Sequence, residues 1–104
     1  MKRGEVWWAR FPPPVGRRPV VLVSRNQAYR VRAAVTVVPL TRTVRRIPVE
    51  VPLEASDSVP RPSVANADNI TTVPKVWVEE YLTTLSAGKL QALEEAIKFA
   101  LDLP

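Results

Sequence analysis

Neither cysteine nor histidine occurs among the 104 residues. The first absence removes disulfides and thiolate metal ligands, and the second removes the commonest imidazole ligand and the commonest general base. Chemistry performed by this chain must use other groups, so no metal and no cofactor is expected. Long apolar runs are absent too: nothing approaches the roughly 20 residues needed to span a bilayer. Met1-Lys2-Arg3 is followed by Gly4, Glu5 and two tryptophans, which is not a secretory signal, so the expected location is the cytoplasm, away from membranes. No internal repeat or low-complexity tract is present.

What is there is ordinary in bulk and lopsided in charge. A hydrophobic content of 46% and a charged content of 24% fit a folded chain, and the length fits one domain, 1–104, around a single modest core. The net charge of +5 conceals an asymmetry: residues 1–46 hold eleven basic side chains against Glu5 alone, whereas residues 47–104 hold four bases and nine acids. The basic half is built almost wholly from arginine, whose planar fork of donors matches phosphate bidentately. That composition favours a nucleic-acid or phosphate partner, with a solvated basic face as the plain alternative.

Periodicity places strands first and a helix last. EVWWARF (5–11) alternates as a strand, and PPPVGR makes a turn stiffened by three prolines. PVVLVS (19–24) and AAVTVVPLT (33–41) are β-branched apolar runs, as strands covered on both faces are, and RNQAYRVR is a polar connection between them. The basic loop RTVRR leads to IPVEVPL (47–53), whose two prolines mark a half-buried or edge strand. EASDSVPRP is a loop, PSVANADNITTV (62–73) carries one or two further strands, and KVWVEEYLTTL reads equally as a helical turn or a last strand. Ser86 is placed to cap a helix over AGKLQALEEAIKFALDL, with Leu90, Leu93, Ile97 and Leu101 as its apolar stripe, serving the core or a dimer contact. The expected architecture is mainly β with a C-terminal α-helix: a small curled sheet or open barrel with the helix beside it.

The succession RGEVWW, GRRPVVLVS, TVVPLT, PVEVPL, SVANADNITTVPK and LTTLS followed by an amphipathic helix resembles the MazF/PemK family of toxin endoribonucleases over nearly the whole chain. The resemblance implies an SH3-like barrel, a homodimer, and metal-independent cleavage of single-stranded RNA. It also implies control by a cognate, MazE-like antitoxin, expected to be an acidic and apolar segment that folds over the basic groove. The family's catalytic arginine, directly before the proline, matches Arg18, and its usual partner, the threonine ending VPLT, matches Thr41. Attack of a ribose 2′-hydroxyl builds negative charge on the non-bridging phosphate oxygens, which a fixed guanidinium and a hydroxyl donor stabilise. Pro19 stiffens the attachment of Arg18. Asp68 falls where the family has a late-strand acid; it is read either as a proton-transfer group or as a structural acid that orients Arg18 or caps a turn. Asn69 stands where many relatives have glutamine, a candidate for a base edge or a phosphate.

Other readings attach to the basic residues and the aromatics. Arg17 adjoins Arg18, and Arg25, Arg42, Arg45 and Arg46 flank the ends of the two apolar strands as phosphate-tracking candidates. Ser24 is a candidate phosphate donor near Arg18, or simply a turn residue. Trp7 and Trp8, adjacent on a strand, point to opposite faces, so the outward one, assigned here as Trp8, is available to stack a base, a contact worth roughly 1 to 3 kcal/mol. Trp77 is read as packing. The chain departs from the family pattern in its short proline-rich loop PPPVGR, in having no histidine, and in Asn66 where some members have arginine. Specificity is expected in the loops 11–17 and 42–48. Two rivals use the same fold: a gyrase-poisoning toxin, whose C-terminal tryptophan is replaced here by FALDLP, and a non-catalytic SH3-like module that binds nucleic acid through the same arginines.

Overall fold

The β-branched runs form strands and the capped, alanine- and leucine-rich terminus forms a helix. A computed structural model describes residues 1–104. The strands are β1 (Glu5–Arg10), β2 (Arg17–Leu22), β3 (Ala34–Thr41), β4 (Glu50–Leu53), β5 (Ser63–Asn66), β6 (Thr71–Pro74) and β7 (Val78–Thr84). The helices are α1 (Ala28–Val31) and α2 (Ala87–Ala100), with 3-10 turns at Ala55–Asp57, Ala67–Asn69 and Lys75–Trp77. No helix is long and apolar enough to cross a membrane.

All pairings are antiparallel, in the order β4-β5-β3-β2-β1-β7, with β6 joined to β3. One side of β3 serves two strands in succession: Ala34 to Val37 pair with β6, and Leu40 and Thr41 pair with β5. The resulting sheet curls into an open barrel whose edge strands, β4 and β7, do not pair with each other.

Alternation along β2 explains how the sheet is buried on both sides. Val21 and Val23 join Val6, Val38, Leu40, Val51, Leu53 and Leu93 in the larger apolar cluster, which α2 covers. Val20 and Leu22 join Ala9, Val35, Val37, Val73, Val78 and Tyr29 in a second cluster on the other face, flanked by Trp7, Phe11 and Trp77. Ser86 Oγ accepts from Lys89 N at 3.1 Å, as the cap requires. Gly4 lets α2 approach: its φ is +91°, and a Cβ there would lie 3.0 Å from a Leu90 methyl.

Some expected boundaries shift. β2 begins at Arg17 and ends at Leu22, so both leading arginines are strand residues and Ser24 lies past the end. The polar connection contains α1, a single turn whose Ala28 and Tyr29 are buried. KVWVEEYLTTL is both alternatives in sequence, a 3-10 turn and then β7. The α2 stripe stops at Ile97, because Leu101 falls beyond the helix end and is half exposed.

Candidate nucleic-acid interface

Register brings the two leading candidates together. Val20 pairs with Pro39 and Val21 with Val38, so Arg18, two residues before Val20, and Thr41, two residues after Pro39, lie at the same end of the antiparallel pair. On its other side Arg18 is paired with Ala9 of β1, which is fully buried. The Arg18 Nε–H is itself buried and has no hydrogen-bond partner. Thr41 Oγ1 accepts from Thr43 N at 3.2 Å, which leaves the hydroxyl proton to donate elsewhere.

Both residues line a groove of about 780 Å³ together with Trp8, Val15, Arg17, Pro19, Leu40, Arg42, Thr43, Val59, Pro60, Arg61 and Ser63. Four arginines and no carboxylate form its walls. Acids pair with only one of the four: Glu79 and Glu80 hold Arg17, while Glu79 also pairs with Arg10 and Glu94 with Arg3 outside the groove. Ion pairing thus sorts the arginines, and Arg18, Arg42 and Arg61 keep their charge uncompensated within the groove.

Arg17 differs from its neighbour. Its Nη2 donates to Glu80 Oε1 at 2.5 Å, and its guanidinium lies 4.5 Å from the centroid of the Trp8 ring. Guanidinium and indole form one stacked wall at the β1 end of the groove. Trp7 takes the opposite face, packs edge-on to Tyr81 with centroids 6.0 Å apart, and donates its indole N–H to Glu5 at 2.9 Å. Trp77 packs edge-on to Phe11.

Other candidates are not brought to this groove. Ser24 is six residues beyond Arg18, roughly 20 Å along extended chain. Its Oγ accepts from Thr36 N at 2.7 Å and its carbonyl from the Tyr29 hydroxyl at 3.0 Å, bonds that hold the turn after β2. Arg25 lies with it at the opposite end of the strands, around a separate depression shared with Arg32. Arg45 and Arg46 belong to the loop after β3, exposed and outside the groove lining, with their main-chain N–H groups donating to the Glu50 carboxylate. Asp68 and Asn69 do not line the groove either. Asn66, 3% exposed, accepts from Asp68 N at 2.9 Å, which ends β5 and turns Ala67–Asn69 against α2, leaving both following side chains exposed. Arg61 was not singled out from the sequence, where it is one cation in a proline-rich loop; its only signal is the pair of prolines around it.

The chain matches the family described as PemK-like, MazF-like toxin of type II toxin-antitoxin system over residues 2–101. A Mycobacterium tuberculosis protein named "Probable endoribonuclease MazF5" is 40% identical over 102 residues, covering 96% of this chain and 92% of that protein. Endoribonuclease MazF3 of the same species is 38% identical over 86 residues, covering 83% of this chain and 84% of its own. The structure of the Mycobacterium tuberculosis toxin MazF-mt6 superposes with a TM-score of 0.88 at 34% identity, over 96% of this chain and 98% of that one. An endoribonuclease in complex with its cognate antitoxin, from a mycobacterial species, gives the same TM-score of 0.88 and 34% identity over 100% and 97% of the two chains. Matched over nearly its whole length by the family model and by these relatives, the chain belongs to the PemK/MazF family of toxins of type II toxin–antitoxin systems and is a MazF-type toxin endoribonuclease.

Proposed function

We propose that residues 1–104 form one toxin domain that cleaves single-stranded RNA in the Arg18–Thr41 groove, in the cytoplasm, as a homodimer restrained by a cognate antitoxin. The observation that carries this reading is that Arg18 and Thr41 line one groove with three further arginines and no carboxylate. Arg18, Arg42 and Arg61 have no acidic partner there, and a phosphate oxygen is the acceptor that suits a guanidinium.

The ribose 2′-hydroxyl attacks the adjacent phosphorus, the bond to the 5′-oxygen breaks, and the products are a 2′,3′-cyclic phosphate and a 5′-hydroxyl. Charge grows on the non-bridging oxygens as the bond forms. Arg18 and Thr41, fixed on paired strands, donate to those oxygens without reorganising. With no acid in the groove lining, the rate enhancement rests on this charge stabilisation and on alignment.

The restraining partner follows from the same charges. An acidic and apolar antitoxin segment would neutralise Arg18, Arg42 and Arg61 while covering Trp8 and Val15. A second copy of the chain would cover the exposed Phe99, Leu101 and Leu103 at the end of α2. Incubation of RNA with the purified protein beside Arg18→Ala tests the catalytic part. Cleavage lost in the variant with RNA affinity retained is the expected outcome; intact RNA with the wild-type protein makes the chain a binding module.

A further inference from the structure

We propose that Arg61, on the loop between β4 and β5, holds the RNA phosphate that flanks the scissile one, so that the RNA crosses the strands from β5 to β1. The inference rests on the endoribonuclease reading of the groove and adds a direction to it.

Sheet order supplies that direction. Arg61 stands at the β5 side of the groove, Thr41 on β3, Arg18 on β2 and Trp8 on β1, which are consecutive in the sheet. Three strand spacings separate β5 from β1, roughly 14 Å. The catalytic pair therefore occupies the middle, with a lone cation on one bank and the Trp8–Arg17 stack on the other. The two banks differ chemically: Arg17 is paired with Glu80 and sits over an indole, a surface suited to a base, whereas Arg61 has no carboxylate partner and suits a phosphate.

The mounting of Arg61 is rigid for a loop. Pro60 and Pro62 enclose it, and its carbonyl accepts from Ser63 Oγ at 3.0 Å. Val59, two residues earlier, is buried in the larger apolar cluster. Ahead of it, Glu54 N donates to Asp57 Oδ2 at 2.8 Å, and Lys89 of α2 donates to Pro52 O at 2.6 Å. After it, Ser63 pairs with Leu53 and Val64 with Thr41, which ties the loop to the catalytic strand. A guanidinium carried this way loses little freedom when it meets a phosphate.

The test is a cycle between Arg61→Gln and a neutral phosphate. Dissociation constants are measured for a single-stranded RNA made uncleavable by a 2′-deoxy nucleotide at the cut site, and for versions carrying one methylphosphonate at each flanking position. Arg61→Gln is expected to weaken binding about tenfold and to reduce the slope of log affinity against log salt by about 0.7. One methylphosphonate on one side of the cut should weaken wild-type binding equally, with no further loss when both changes are combined. Arg61→Lys should keep the salt slope, and Arg30→Gln, on α1 away from the groove, should leave binding unchanged, with far-UV circular dichroism confirming the fold of each variant. Wild-type affinity in Arg61→Gln, or losses that multiply at every position, would overturn the proposal. RNA binding without cleavage by the wild-type protein would instead sink the catalytic reading, and the cycle would still report on Arg61.

Discussion

Replacing Arg18 with methionine should make the protein more stable and nearly inactive. The side chain lies beside fully buried Ala9 and places Nε where solvent does not reach it and no acceptor is within hydrogen-bonding distance. An unsatisfied buried donor costs about 1–3 kcal/mol, and methionine keeps most of the aliphatic stem while removing that donor. For a chain of this size each kcal/mol shifts the melting midpoint by roughly 4–8 °C, so the variant should melt several degrees above the wild type. Its cleavage rate should fall by about 10²–10³, the usual loss on removing a donor aimed at transition-state charge. Thermal unfolding and RNA cleavage, run on the same preparations, read both quantities. A variant that melts below the wild type would show that Arg18 stabilises the fold through contacts it is held here not to make. One that cuts RNA at the wild-type rate would remove it from the chemistry.

Three further outcomes follow. Burial pushes the Tyr29 hydroxyl from 10.0 up to about 12, so the neutral form is favoured in the folded state, and its contribution, present in full below pH 10, is lost as pH rises through about 12. Tyr29→Phe should flatten the alkaline limb of the stability profile, and an unchanged limb would refute the assignment. Leu93→Ala, at a fully buried position of α2, should cost about 2–5 kcal/mol in urea unfolding, whereas a loss below 1 kcal/mol would mean that the helix is peripheral. Asp68→Asn should leave the cleavage rate and its pH profile unchanged, because Asp68 does not line the groove; a loss of about 10²-fold or more would make it a proton-transfer group.

The sequence carries the sheet and the closeness of Arg18 and Thr41 because both depend on local signals. The β-branched run of β2 and that of β3, joined by a short connection, have to pair antiparallel, and an antiparallel pair brings the start of the first, Arg18, to the end of the second, Thr41. By the same geometry Ser24 and Arg25 end up far from Arg18. Asp68 and Asn69 follow a β-branched stretch that reads as strand, and only the folded chain shows the Asn66 side chain accepting from Asp68 N and turning it into a 3-10 segment. Arg61 is twenty residues from Thr41 in sequence and becomes its neighbour solely through the Thr41–Val64 pairing. Long-range partners of this kind, like the Arg17–Glu80 pair, leave no periodic trace along the chain.

The measurement to make is the chemistry of the ends left on a mixed-sequence RNA after incubation with the purified protein in EDTA. Attack by the ribose 2′-hydroxyl, stabilised by Arg18 and Thr41 alone, yields 2′,3′-cyclic phosphate and 5′-hydroxyl ends at a short recurring sequence, and the same preparation of Arg18→Ala yields none. Fragments with 5′-phosphate ends, or cleavage that needs an added divalent cation, would contradict that mechanism.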